Sequence, residues 1–131
     1  MSARLGISPV RLGYLALGAF AVATLGVFAF SDTLRLPVLP DGYDKELHVA
    51  AFWACGFILM LGACRSAMVI TVLMLSGVAI GVEWAQPILT ATREASSADA
   101  AASILGVLLG AGGALAVNNT VRSAPTKARA R

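Results

Sequence analysis

The sequence predicts an all-α polytopic membrane protein, a bundle of four transmembrane helices. The chain is 58% apolar and only 13% charged, whereas soluble domains carry about 25% charged residues. Four long apolar runs interrupt the polar stretches, and the charged residues divide between the two sides that these runs would separate. Composition, run length and charge segregation therefore point to the same fold class.

The apolar runs are long enough to cross a bilayer, with one exception. A spanning helix needs roughly 20 mostly apolar residues, with about 17 as the lower bound. The runs 12–30, 47–64 and 100–117 meet this requirement, but the run 67–82 has only 16 residues. It reaches spanning length if its helix continues through Glu83 to Gln86, before Pro87 ends it. A cleaved signal peptide is the alternative for the first run, which exceeds the roughly 7–15 residues of a signal core.

Basic residues set the predicted orientation. Seven of the ten Lys and Arg residues lie near the chain ends or between the second and third runs, and such segments stay in the cytoplasm. We predict a multi-pass protein of a bacterial-type cytoplasmic (inner) membrane, both termini cytoplasmic, with a basic leader (1–11), a membrane domain (12–117) and a basic tail (118–131). The net charge of +3 sums two opposite faces and does not indicate nucleic-acid binding. The acids, all on the outer face, are Asp32, Asp41, Asp44, Glu46, Glu83, Glu94 and Asp99.

The strongest polar signal lies where the second run begins. Asp44, Lys45 and His48 are separated by three and four residues, so they share one helix face. Charge is costly in hydrocarbon, and a cluster at the mouth of a membrane segment is therefore a candidate site. The alternative is interfacial anchoring, with an acid at the helix N-terminus and long side chains that reach the headgroups.

The third and fourth runs carry matching polar groups. Glu83 and Gln86 are i, i+3 neighbours, and an interfacial position is the alternative for Glu83. Ser96 and Asp99 fit a capping box in which the Asp99 carboxylate reaches back to the Ser96 amide. Asp99 also begins a stripe of polar and small residues that we expect to face the bundle. The stripe consists of Asp99, Ser103, Gly106, Gly110 and Gly113.

Two further patterns concern packing. Gly77 and Gly81 form a small-x-x-x-small pair, which permits another helix to approach the third run closely at this point. Cys55 and Cys64 are nine residues apart, on opposite sides of one helix, so we expect both thiols to be free.

Three short motifs follow one another along the chain and fall on one predicted membrane face. They are Asp44-Lys45-x-x-His48, then Gly81-x-Glu83-x-x-Gln86, then Arg93 followed by Asp99 and Gly106. In this order they resemble the VanZ-like family, over roughly residues 41–113. The resemblance implies a small multi-helix membrane protein whose namesake is linked to resistance to the glycopeptide antibiotic teicoplanin. Family members usually have Asn where this chain has Ser103, a smaller hydrogen-bonding group.

The polar residues suggest chemistry as well as packing. Histidine with carboxylates suits general acid–base catalysis, and two basic groups with histidine suit an anionic headgroup. Histidine with carboxylates also suits a divalent metal, but a single histidine argues against zinc, so we expect no metal and no cofactor. The catalytic candidates are His48, Glu83 and Asp99, and the ligand-binding candidates are Asp44, Lys45, Gln86, Arg93 and Ser103.

We therefore expect an outward-facing polar pocket that binds or processes an anionic or lipid-linked envelope component. Membrane lipids are the expected partners, and the sequence allows oligomers. One alternative is a non-enzymatic structural or accessory module whose polar residues only lock the helices together. Another is a small proton-coupled carrier with His48 and Glu83 as relay. Against the carrier, only Ser76 and Thr71 continue a polar path toward the inner face.

Overall fold

The structure is a computed structural model that describes residues 8–31, 43–91 and 93–123. Within these ranges the chain forms α1 (Pro9–Ala29), α2 (Asp44–Gly62), α3 (Met68–Leu89) and α4 (Ser97–Ser123). All four are long and apolar enough to cross a membrane. The predicted fold class, an all-α bundle of four candidate transmembrane helices, is confirmed. Residues 1–7 of the basic leader and 124–131 of the basic tail lie outside the described residues.

The helix ends follow local sequence. Ser8 caps α1, because its hydroxyl accepts the Arg11 backbone N–H at 3.4 Å, and Pro9 occupies the first turn, where no N–H is needed. The third helix continues through Glu83 and Gln86, as its length requires.

The expectation that Pro87 ends α3 is wrong, since the helix runs two residues further, to Leu89. Proline removes one backbone donor, but the next turn is closed by other groups. The backbone N–H and the hydroxyl of Thr90 both donate to the Gln86 carbonyl, each at 2.8 Å.

The most extensive helix contact is between α2 and α4. It depends on glycine, because a Cβ on Gly106 would collide with the Val49 carbonyl oxygen, and one on Gly110 would lie 2.5 Å from the Trp53 carbonyl oxygen. The stripe predicted on α4 is therefore confirmed as a packing surface. The apolar core beside this contact contains Phe52, Leu75, Ala79 and Val107.

Among the described residues, no helix uses the close approach that the Gly77/Gly81 pair permits. A Cβ at either position would meet no atom within 4 Å, and both residues are exposed. The close approach is instead made by α4 against α2. The outer surface of α3 is strongly apolar, with Trp84 69% exposed, and such a surface is suited to contact with membrane lipid.

The two ends of the bundle differ chemically. Arg11, Arg65, Asn118 and Asn119 line a small cavity of about 10 Å³ at one end. An apolar groove of about 260 Å³ continues from it between α3 and α4, and Met68 and Leu115 line both. The opposite end holds the first two turns of α2 and α4, the last two turns of α3 and the loop between α3 and α4, where the predicted site residues lie.

Both cysteines are free, as predicted, but the expectation that they lie on opposite sides of one helix is wrong, because α2 ends at Gly62, before Cys64. Cys55 is buried in α2, whereas Cys64 is exposed in the turn before α3. Hydrogen bonds from the Ser66 hydroxyl and the Ala67 backbone amide lower the pKa of the Cys64 thiol, and more thiolate is therefore present at a given pH. Cys64 is a natural reporter of the side on which this turn lies.

We expect a membrane-impermeant maleimide to label the wild-type protein at Cys64 only after the cytoplasmic side is opened, because Arg65 predicts that this turn is cytoplasmic. The lowered pKa should make labelling begin at a lower pH than for an ordinary cysteine. Cys64→Ser should abolish labelling, since Cys55 is only 2% exposed. Labelling of intact cells would show that the predicted orientation is wrong.

Candidate functional site

Three helices bring polar side chains together at one end of the bundle. His48 comes from α2, Glu83 from α3, and Asp99 and Ser103 from α4. One potential ligand atom from each of His48, Glu83 and Asp99 lies within 4.8 Å of the others. We refer to these four residues as the polar-end cluster. The three catalytic candidates therefore meet in space although they are far apart in sequence.

His48 is the link between the three helices. Its Nδ1 lies 3.0 Å from the Ser103 hydroxyl oxygen and 3.7 Å from Glu83 Oε1. The tautomer decides whether the ring or the hydroxyl donates to the other. The His48 side chain is 25% exposed and that of Glu83 only 3%. The imidazole is therefore the accessible member of the pair, and the carboxylate is the buried one.

Glu83 is held by backbone as well as by side chains. The Ser96 backbone amide donates a hydrogen bond to its carboxylate, and Asp99 and Arg93 are close enough to act on it electrostatically. The expected capping box is confirmed on one side, where the Ser96 hydroxyl accepts the Asp99 N–H at 3.1 Å. The Ser96 backbone amide, which the capping box assigns to the Asp99 carboxylate, donates instead to the Glu83 carboxylate. The cap of α4 therefore also positions the carboxylate on α3.

Gln86 and Arg93 contact the end of α1, which sequence reasoning did not connect with the site. Gln86 Nε2 donates to the Ala29 carbonyl at 3.4 Å, and Arg93 Nη2 donates to the Phe28 carbonyl at 3.5 Å. The last carbonyls of a helix have no partner within the helix and carry partial negative charge, so these donors suit them. Gln86 and Arg93 thus join α1 to the polar end.

Asp44 and Lys45 lie at the rim. Both are exposed in the first turn of α2, on the side that leads to His48 one turn later. Among the described residues, every buried side-chain nitrogen and oxygen has a hydrogen-bond partner. The polar end is therefore an ordered network with a charged, solvent-accessible rim.

No family model, curated protein or solved structure matches this chain. The resemblance to the VanZ-like family stays a prediction, and arguments about function depend on the geometry of the polar end.

We expect Ser103→Ala to lower the free energy of unfolding by about 1 kcal/mol, because it removes the buried partner of His48. Thermal unfolding in detergent measures the change. Ser76→Ala is the matched control, since Ser76 lies two helical turns before Glu83. In the His48→Ala background the Ser103 substitution should cost much less, and equal costs in both backgrounds would show that the hydrogen bond contributes nothing.

Proposed function

We propose that this protein is a VanZ-like integral membrane protein that binds or processes an anionic cell-envelope component at its polar end. The ligand class is a phosphate or carboxylate carried on a membrane lipid. One observation carries the proposal: groups of His48, Glu83 and Asp99, from three different helices, converge within 4.8 Å.

Convergence supports a site over anchoring. Polar residues that only anchor a helix extend toward water and headgroups. Glu83 is instead 3% exposed and Ser103 1% exposed, so both are turned into the bundle. Ionisable groups buried at the edge of hydrocarbon are costly, and they are mostly found where they serve a function.

The rim supports an anionic ligand. Arg93 has five N–H donors in a planar fork that matches a carboxylate or phosphate, and its contact with Phe28 uses one of them. Lys45 is exposed at the start of α2. Lys45 precedes His48 by three residues on α2, and Arg93 acts electrostatically on Glu83, so both cations are neighbours of the cluster.

The cluster beneath the rim is suited to proton transfer. His48 and Glu83 approach within 3.7 Å, and an imidazole beside a carboxylate is a common general acid–base pair. In this proposal Lys45 and Arg93 bind the anion, Gln86 and Ser103 position their neighbours, and His48, with Glu83 and Asp99, moves the proton. The positive-inside pattern of the loops supports an outward-facing polar end.

Native mass spectrometry of the purified protein with a polyprenyl phosphate, compared with the matching polyprenyl alcohol, tests the proposal. We expect the phosphate to bind more tightly than the alcohol, and Arg93→Gln to weaken phosphate binding about threefold to tenfold through loss of a charge-assisted contact. Arg65→Gln, at the opposite end, is the matched control.

Equal binding of alcohol and phosphate would refute recognition of the headgroup. Equal losses in Arg93→Gln and Arg65→Gln would show only general attraction between cations and anionic lipid. Thermal unfolding of each variant without lipid separates lost binding from lost structure.

A structural module remains the second candidate, and the hydrogen bond between His48 and Ser103 favours it. In that case substitutions in the cluster should lower thermal stability and leave the preference for phosphate over alcohol unchanged.

A proton-coupled carrier is the weaker alternative, and flux into proteoliposomes that is insensitive to Glu83→Gln would exclude it.

The resemblance also supports a link to teicoplanin susceptibility. We expect expression in a susceptible bacterium to raise the inhibitory concentration of teicoplanin, and His48→Ala or Glu83→Gln at equal abundance to abolish the increase. An unchanged inhibitory concentration with wild-type protein correctly inserted would separate this chain from the resistance phenotype.

A further inference from the structure

We propose that the polar-end cluster binds one divalent metal ion through His48, Glu83 and Asp99. This goes beyond the proposed function, since an ion can bind here whether or not a lipid does. A single histidine gave the sequence little reason to predict a metal. The structure adds two carboxylates from other helices to that imidazole, with one ligand atom of each residue within 4.8 Å of the others.

The distances are close to those of a metal site. Oxygen and nitrogen ligands lie about 2.0–2.2 Å from a zinc-sized ion, so neighbouring ligand atoms in a tetrahedral or octahedral site are about 3 to 3.5 Å apart. The His48–Glu83 distance is 3.7 Å. A side-chain shift of about 1 Å would bring the ligand atoms to these distances. Asp99 has room for such a shift because it is only half-buried in the first turn of α4.

The charges also favour a cation. With a neutral imidazole, Glu83 and Asp99 supply two negative charges, and Arg93 is the cation that acts on Glu83. Two nearby carboxylates repel each other unless a positive charge lies between them. A divalent ion would change the local sum from −1 to +1, which suits a monoanionic ligand.

Glu83 is already oriented by a hydrogen bond, as metal ligands usually are, because the Ser96 amide holds its carboxylate. The Ser103 hydroxyl lies 3.0 Å from His48 Nδ1, the same nitrogen that faces Glu83, so an ion bound there would replace this hydrogen bond and have the hydroxyl oxygen beside it. Three protein ligands leave at least one coordination position for water or for a ligand oxygen, and the 25% exposure of His48 opens a path to it.

The donor set indicates the kind of ion. Two carboxylates and one imidazole suit Mn²⁺ or Zn²⁺, and the Irving–Williams order predicts that Zn²⁺ binds more tightly than Mn²⁺. Mn²⁺ is the useful probe, because its free form is quantified directly by electron paramagnetic resonance.

Tag-free protein in detergent, stripped with EDTA and then freed of it, is titrated with Mn²⁺. We expect one Mn²⁺ per chain, displaced by Zn²⁺, and an affinity at least about tenfold lower in Glu83→Gln and Asp99→Asn. Glu94→Gln is the matched control, since it removes an exposed acid in the loop before α4. This control should bind Mn²⁺ as the wild type does.

Wild-type protein that binds neither Mn²⁺ nor Zn²⁺ stoichiometrically would overturn the metal site, and this outcome does not depend on any variant folding. Binding that survives both Glu83→Gln and Asp99→Asn would overturn it too, because the ion would then lie elsewhere. Preference for polyprenyl phosphate that persists in EDTA, without stoichiometric metal binding, would preserve the proposed function and refute this inference. Stoichiometric Mn²⁺ binding without a preference for polyprenyl phosphate would support this inference and refute the proposed function.

Discussion

The close approach of α4 to α2 is the constraint on which the polar end depends. The backbone of α2 lies against Gly106 and Gly110, where no side chain fits. Ser103 precedes Gly106 by three residues, and His48 precedes Val49, whose carbonyl faces Gly106. The hydrogen bond between His48 and Ser103 is therefore next to the backbone contact and depends on the same close spacing of α2 and α4. A wider helix spacing would separate the imidazole from α4 and also from the capping segment that holds Glu83.

Much of this arrangement was predictable from residue patterns. Run length and composition predict the four helices, and the spacing of Asp99, Ser103, Gly106, Gly110 and Gly113 predicts the buried face of α4. The same reasoning allowed a close approach at Gly77 and Gly81 that no described helix makes, because a small-residue pair shows where a helix can approach and not whether one does. It failed for Pro87 because the loss of one donor near a helix end is tolerated when Thr90 supplies two others.

The contribution of α1 was not predictable for a different reason. Gln86 and Arg93 donate to backbone carbonyls of Ala29 and Phe28. Every residue has a carbonyl, so the sequence does not distinguish the ones that accept a side-chain hydrogen bond. Helix periodicity predicts that Asp44 and Lys45 share a face with His48, but it does not predict how deeply each residue is buried. Both charges lie at the rim because the first turn of α2 is exposed.

Trp84 directly follows Glu83 in α3, and its ring is largely exposed on the outer surface. Indole rings prefer the boundary between acyl chains and headgroups. An indole at this boundary would hold Glu83 at nearly the same depth in the bilayer. A thicker or thinner bilayer would move ring and carboxylate together, which makes the hydration of the buried acid depend on the lipid around it.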